Sequence, residues 1–306
     1  MAILILGNAS DAHAAHMQHS LDQAGIPVFY WDTQLFPTQT KLSWQPDTQH
    51  GCLNLAGAPP LDLHAIQAVF WRNFTGAAVP SFEDTAQYSI AFRDAMSALR
   101  SLIQACPAHW VNPWQAYEFH QTKPLQLAKA KQLGVRIPAT LISNDPEQIT
   151  AFVNSHDKVI FKPVFGGAHT QLVTPTHVEP ERLRLSLRLA PVTVQEYIPG
   201  TNVRSYVIGD AVYAAEIRST ALDFREDGKA QLMPLTVPPV IHQQCLAITQ
   251  AFWLKWTAID WRVTPAGEYV FLEANPSPMF LHFEHQTGFP ITQALIKQLL
   301  QPLNHS

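Results

Sequence analysis

The chain has 306 residues, 47% of them hydrophobic and 14% charged, with a formal net charge of −4. That is more apolar material than one compact lobe buries, so two or three lobes are expected, and the absence of a basic stripe argues against a nucleic-acid partner. The longest apolar runs, such as Ala2 to Leu6 and Val69 to Trp71, are far too short to cross a bilayer, which argues against a membrane-spanning role.

The N-terminal Met-Ala-Ile-Leu-Ile-Leu-Gly lacks a basic region and reads as a first strand rather than a signal peptide. A helix is expected from about Asp11 to Ala24, closed by Gly25, and a strand from Pro27 to Asp32. Residues 35–60 carry Pro37, Pro46, Pro59 and Pro60 and read as loops with small strands. A buried strand at Ala68 to Arg72 and a long helix from about Phe82 to Ala105 complete an open α/β lobe. Val111-Asn112-Pro113 reads as a turn, followed by one long helix from about Trp114 to Leu133 that stops at Gly134.

A second lobe is expected from a strand at Ala139 to Ser143, a helix opened by Asp145-Pro146, strands at Lys158 to Val164 and Gln171 to Thr174, and a helix at Val178 to Leu189. From Val192 the pattern turns to strands: Val192 to Ile198, Arg204 to Ile208 and Ala211 to Ile217, with Gly209-Asp210 as a hairpin turn. A helix at about Val240 to Lys255 precedes a hairpin of Ala258 to Val263 and Glu268 to Glu273, turned at Pro265-Gly267, and a last helix starts near Pro290. Cys52, Cys106 and Cys245 are isolated and odd in number, which fits a reduced cytoplasmic compartment better than a disulfide framework.

The chemistry concentrates in the second half. Asp260 lies on one strand of the last hairpin and Glu273 and Asn275 on the other. Period-two alternation puts Glu273 and Asn275 on one side, and the Pro265-Gly267 turn brings Asp260 back beside them. Two carboxylates and a carboxamide then offer a hard oxygen site suited to magnesium; the plainer alternative is an acidic cluster on a sheet surface. A carboxylate in so apolar a strand needs a cation or a good hydrogen-bond partner.

Lys162 ends an apolar strand just before Val164-Phe165-Gly166-Gly167. A lysine there can reach nucleotide phosphates while the glycine turn lets backbone amides approach. Lys-Pro-x-x-Gly-Gly alone does not separate this from an ordinary turn, and no P-loop is present. Gln195-Glu196-Tyr197-Ile198 reads either as an adenine slot or as an edge strand. Asn202 and the catalytic candidate Arg204 follow in the same segment, and Arg218 and Arg225 are candidates to meet negative charge on a transferring phosphoryl group, with surface solvation as the alternative for each arginine. His13, His16 and His19, spaced three apart on a predicted helix, read as a partly solvated face before a metal site. Trp71, Trp110 and Trp114 read as core before cleft lining.

Taken in order, Lys123, Lys162-Pro163, Gln195 to Ile198, Arg204, Asp260, Glu273 and Asn275 resemble the ATP-grasp superfamily, in its ribosomal-protein-S6-modification and glutathione-synthetase-like branch. Within it, "VYAAEI" then "LDFR", "AIDWRVTPAGEYVFLEANPSP" and "HQTGFPITQAL" resemble the microviridin-type peptide ligases. The resemblance implies an α/β fold, α+β in its C-terminal part, with three lobes: an N-terminal open α/β domain over 1–110, and two ATP-grasp subdomains over 111–190 and 191–306 with nucleotide held between them.

It also implies roles. Lys123 and Lys162 contact ATP phosphates, and Glu196 and Ile198, within the segment Gln195 to Ile198, hold adenine. Asn202 stands where many relatives carry an aspartate facing the ribose. Asp260, Glu273 and Asn275 hold Mg2+, with Mn2+ as a substitute, and Arg218 or Arg225 stabilises the phosphoryl group, Arg225 being the better match. After Asn275 the peptide ligases tend to continue with glycine and tryptophan, whereas Ser277-Pro278-Met279-Phe280 stands here.

The activity implied is ATP-dependent joining of a carboxylate to an amine or hydroxyl through an acyl phosphate. The substrate is expected to be a peptide or protein, with free amino acids or dipeptides as the alternative and a catalytically silent nucleotide-binding module as a third reading. Intact Lys123, Lys162, Asp260, Glu273 and Asn275 argue against the third. The sequence leaves the oligomeric state open, with a homodimer among the options because dimers are common in the resembled family.

Overall fold

The computed structural model describes residues 2–81, 83–165, 170–219 and 229–302. The chain divides into two compact units, and the division does not follow the chain linearly: residues 1–114, 254–256 and 277–306 form the first, and residues 115–253 and 257–276 the second.

In the first unit, β1 (Ala2–Leu6) is fully buried and pairs in parallel with β2 (Val28–Trp31) and β6 (Ile66–Trp71). A third parallel pairing adds β7 (His109–Val111), giving the order β2-β1-β6-β7. The uninterrupted apolar run of β1 suits a parallel strand covered on both faces. Helix α1 (Ala12–Gln23) links β1 to β2 and is opened by Asp11, whose carboxylate accepts from the His13 and Ala14 amides. Helix α2 (Thr85–Ala105) links β6 to β7.

Residues 35–60, read as loops and small strands, contribute β3 (Lys41–Gln45) and β4 (His50–Asn54), which with β5 (Leu61–Asp62) make a separate three-stranded antiparallel sheet. At the chain's far end, α8 (Leu281–Thr287) and α9 (Ile291–Leu299) return to this unit, where α9 packs on β6, β7 and α1. Trp71, Trp110 and Trp114 do form an aromatic cluster here, with Trp71 centred 5.8 Å from Trp110 and 5.5 Å from Trp114.

The expected single helix from Trp114 to Leu133 is broken. The chain forms α3 (Trp114–Gln121) and α4 (Lys123–Gln132), separated at Thr122. Pro124 is the cause: it has no amide hydrogen for the bond back to residue 120, and its ring clashes with that carbonyl, so it is accommodated only in the first turn of a new helix.

The rest of the second unit is two sheets. The first has the order β10-β9-β11-β8, built from β8 (Thr140–Ser143), β9 (Val159–Pro163), β10 (Gln171–Leu172) and β11 (Val192–Glu196). Helices α5 (Pro146–Asn154) and α6 (Pro180–Leu187) bury Ile149, Leu183 and Leu187 against Val159 and Val194. Strand alternation then turns Lys162 and Gln195 to the opposite, helix-free face.

The second sheet has the order β14-β13-β12-β15-β16: β12 (Thr201–Ile208), β13 (Ala211–Arg218), β14 (Gln231–Leu235), β15 (Trp256–Val263) and β16 (Tyr269–Asn275). Helix α7 (Pro239–Ala251) packs on β12. Strand β14, absent from the expected elements, contains Pro234; it is an edge strand, a position where a missing amide need cost no ladder bond. Between the sheets Gly200 has φ +138°, and a Cβ there would lie 1.9 Å from the Val263 carbonyl oxygen, so only glycine lets the chain pass.

Candidate active site

The β15–β16 hairpin places Asp260 directly opposite Glu273, and Ala258 opposite Asn275. Cross-strand partners share a face, so Asp260, Glu273 and Asn275 emerge on one side of the sheet. The register shifts just beyond, where Trp261 pairs with Phe271 and Leu272 is left over. This bulge falls on the turn side of Glu273 and leaves the three oxygen-bearing side chains in step.

Strand β12 adds Arg204 to that face. Its Nε and Nη2 donate to Asp260 Oδ1 and Oδ2 at 2.7 and 2.8 Å, a bidentate pair. Burial works against the guanidinium charge, but the Asp260 carboxylate outweighs it and lifts the Arg204 pKa above its usual value.

Facing this group from the start of α4 is Lys123, whose Nζ donates to Glu273 Oε2. Burial pushes the Glu273 carboxyl up, yet the Lys123 ammonium, with Lys162 adding to it, holds it well below the usual carboxylate range. Lys162 thus bears on Glu273 from the other sheet, while its Nζ donates to Gln195 Oε1 at 3.3 Å. Gln195, 1% exposed, is held in turn by donating to Thr140 Oγ1 at 2.8 Å.

The segment after Gln195 is anchored from β15. Arg262 donates to the Ile198 carbonyl at 3.1 Å and to Asn202 Oδ1 at 3.0 Å, and its guanidinium lies 5.8 Å from the Tyr197 ring centroid. The Glu196 amide donates to the Ala139 carbonyl and the Tyr197 amide to the Lys158 carbonyl, both at 2.9 Å. Asn202 and Arg204, two apart on β12, share the face of Asp260.

Arg218 does not join them. In the β12–β13 register Arg204 stands opposite Ala215 and Val203 opposite Glu216, so Glu216 and Arg218 belong to the other face. Arg218 is exposed at the end of β13 and pairs with Glu216 at 3.4 Å. Arg225 and the Gly166-Gly167 turn lie outside the described residues. His13 and His16 pack within the first unit: His13 Nδ1 accepts from the Phe280 and Leu281 amides, and His16 Nε2 meets Thr292 Oγ1 at 2.9 Å.

Three residues of the site went unread in the sequence: Arg262, His120 and Gln126. Gln126 carried a signal, since it lies three residues after Lys123 and so on the same face of α4. His120 is mostly buried, and its Nδ1 lies 3.1 Å from the Ala274 carbonyl oxygen. Burial foremost, then the Lys123 charge, lowers its pKa to about 4. It is a neutral ring, donating from Nδ1.

Asp260, Glu273 and Asn275 thus bring two carboxylates and a carboxamide to one face, where Arg204 and Lys123 pair with the carboxylates and Lys162 adds a second ammonium group. This is the donor chemistry of the ATP-grasp class. Residues 2–118 match the MvdD pre-ATP grasp domain and residues 120–299 the RimK-like ATP-grasp domain. The chain belongs to the RimK-like ATP-grasp family and is an ATP-dependent ligase. No curated protein matches it by sequence.

Among solved structures it is similar to the macrocyclase MdnC from Microcystis aeruginosa MRC bound with precursor peptide MdnA, at 28% identity and a TM-score of 0.86 over 98% of this chain and 100% of that one. It is also similar to the ATP-grasp ligase PsnB complexed with a minimal precursor, at 28% identity and a TM-score of 0.84 over 97% and 98% of the two chains. PsnB complexed with minimal precursor, Mg and ADP matches at 27% identity and a TM-score of 0.79, over 98% of each chain.

Proposed function

We propose that the ligase acts on a ribosomally made precursor peptide, joining a side-chain carboxylate to a hydroxyl or amine within it. The observation carrying this reading is the end-to-end similarity to MdnC and PsnB, each solved with a precursor peptide and each matched over nearly its whole length.

In this reading Asp260, Glu273 and Asn275 hold magnesium, with manganese as a substitute on the same oxygens. Bound there, the metal supplies positive charge at the phosphate oxygens. Lys123 and Lys162 bind the phosphates of ATP, and Gln195 fixes the Lys162 ammonium. Glu196, Tyr197 and Ile198 line the adenine, and Arg262 steadies that segment and aims the Asn202 carboxamide at the ribose. Arg204 orients Asp260. Arg218, on the reverse face, drops out of the catalytic set, and Arg225 remains the arginine proposed to meet the transferring phosphoryl group.

The substrate carboxylate oxygen attacks the γ-phosphorus and ADP leaves, giving an acyl phosphate. The hydroxyl or amine then attacks the acyl carbon, losing its proton as inorganic phosphate departs. The lysines place positive charge against the negative charge on the phosphoryl oxygens, so they act by electrostatic stabilisation without a covalent enzyme intermediate. We place the reaction in the cytoplasm, which the free thiols of Cys52, Cys106 and Cys245 suit, and in a homodimer. Among the described residues no helix is long and apolar enough to cross a membrane.

The test is ADP release with candidate precursor peptides, dipeptides and free amino acids, beside Glu273→Gln. Turnover with a precursor, a product lighter by one water per bond, and a loss of about 100-fold or more in the variant are expected. Turnover with free amino acids alone would move the reading to a small-molecule ligase. Wild-type turnover in Glu273→Gln would remove the metal assignment.

A further inference from the structure

Strand β16 carries two of the three proposed metal ligands, yet it is the edge of its sheet. An edge strand has backbone amides and carbonyls with no ladder partner on one side. At Ala274, between Glu273 and Asn275, solvent offers no remedy, because Ala274 is 0% exposed.

A side chain stands in for the missing strand. Gln126 Oε1 accepts from the Ala274 amide at 3.1 Å, and Gln126 Nε2 donates to the Ala274 carbonyl at 3.1 Å. The carboxamide so reproduces the paired bonds that a neighbouring peptide unit would give. Its orientation is fixed by chemistry, since a backbone amide only donates and a carbonyl only accepts. His120 Nδ1 adds a second donor to the same carbonyl at 3.1 Å. Gln126 is itself 2% exposed and lies one helical turn after Lys123. One short helix thus supplies both the lysine that meets Glu273 and the amide that grips the next residue.

We infer that Gln126, seconded by His120, is a positioning residue for the metal: it locks Ala274 as a substitute strand and so fixes the distance and direction of Glu273 and Asn275. The inference rests on the metal assignment to Glu273 and Asn275 proposed above. Groups that hold a metal's ligands in place are worth about 10- to 100-fold in metal affinity.

The test uses the full chain, with ADP binding measured calorimetrically across a Mg2+ titration and in EDTA, and hydrogen exchange followed on the peptide spanning β16. Gln126→Met keeps the volume and removes both bonds. It is expected to speed exchange at Ala274, leave ADP affinity in EDTA unchanged, and raise the Mg2+ midpoint by about 10- to 100-fold. Gln126→Leu, which also removes both bonds and adds no charge, is expected to shift the midpoint in the same direction and carries the test if the Met variant does not fold. A wild-type Mg2+ midpoint in the Met or Leu variant overturns the inference, as does unprotected exchange of the Ala274 amide in the wild type. Glu273→Gln separates the two proposals. If it abolishes the Mg2+ dependence while Gln126→Met preserves it, only the positioning role fails; if Glu273→Gln keeps the wild-type dependence, the metal assignment fails and takes this inference with it.

Discussion

Arg204 grips both carboxylate oxygens of Asp260, from β12 to β15, at 2.7 and 2.8 Å. Both side chains are largely buried, so neither charge is well solvated without the other. Removing one partner strands the other in a poor dielectric, which costs more than the pair contributes. Arg204→Ala is expected to destabilise the protein by about 3 kcal/mol in urea unfolding. The double variant Arg204→Ala/Asp260→Ala is expected to recover much of that loss. A single variant as stable as the wild type would show that water reaches Asp260.

The Lys162 ammonium is held by Gln195, which is held by Thr140. Losing a charge-assisted contact to phosphate raises KM for ATP by about 10- to 100-fold, and this is the expectation for Lys162→Ala. Gln195→Met leaves the charge and removes its anchor, so KM is expected to move in the same direction by less. Steady-state kinetics in ATP decide it: a Gln195→Met enzyme with altered kcat and unchanged KM contradicts this assignment.

His120 is neutral because burial, and next the Lys123 charge, bring its pKa down to about 4 from 6.5. A depressed pKa in the folded state contributes stability that is complete above the unfolded value and lost as pH falls through the folded one. Metal-free protein should lose on the order of 3 kcal/mol between pH 6.5 and below pH 4 through this group. His120→Gln keeps a donor for the Ala274 carbonyl but does not titrate, so its stability profile should be flatter there. Superimposable profiles for the two proteins would place the acid sensitivity elsewhere.

Burial pushes the Cys106 thiol up to about 11 and the Cys245 thiol up to about 12. Thiolate is the reactive form, so both should resist alkylation in the native protein, while the partly exposed Cys52 reacts. Mass spectrometry after iodoacetamide treatment at pH 8 should find one modified cysteine, and more after denaturation. Native labelling of Cys245 would show that α7 opens away from β12.

Sequence alone determined what local periodicity and chemical type can carry. The apolar run of β1, the alternation of β9, β11 and β16, and the turn at Pro265-Gly267 each follow from a few neighbouring residues. The facing of Asp260 and Glu273 followed from them, because a hairpin's register depends on its own turn. What only the tertiary structure decided depends on partners distant along the chain. The separation of Arg218 from Arg204 requires the register of β13 against β12. The grip of Gln126 on Ala274 joins residues 148 apart, and the return of residues 277–306 to the first unit pairs the two ends of the chain. Period and propensity describe which face of an element is apolar; they carry no information about which distant backbone a buried polar side chain will have to satisfy.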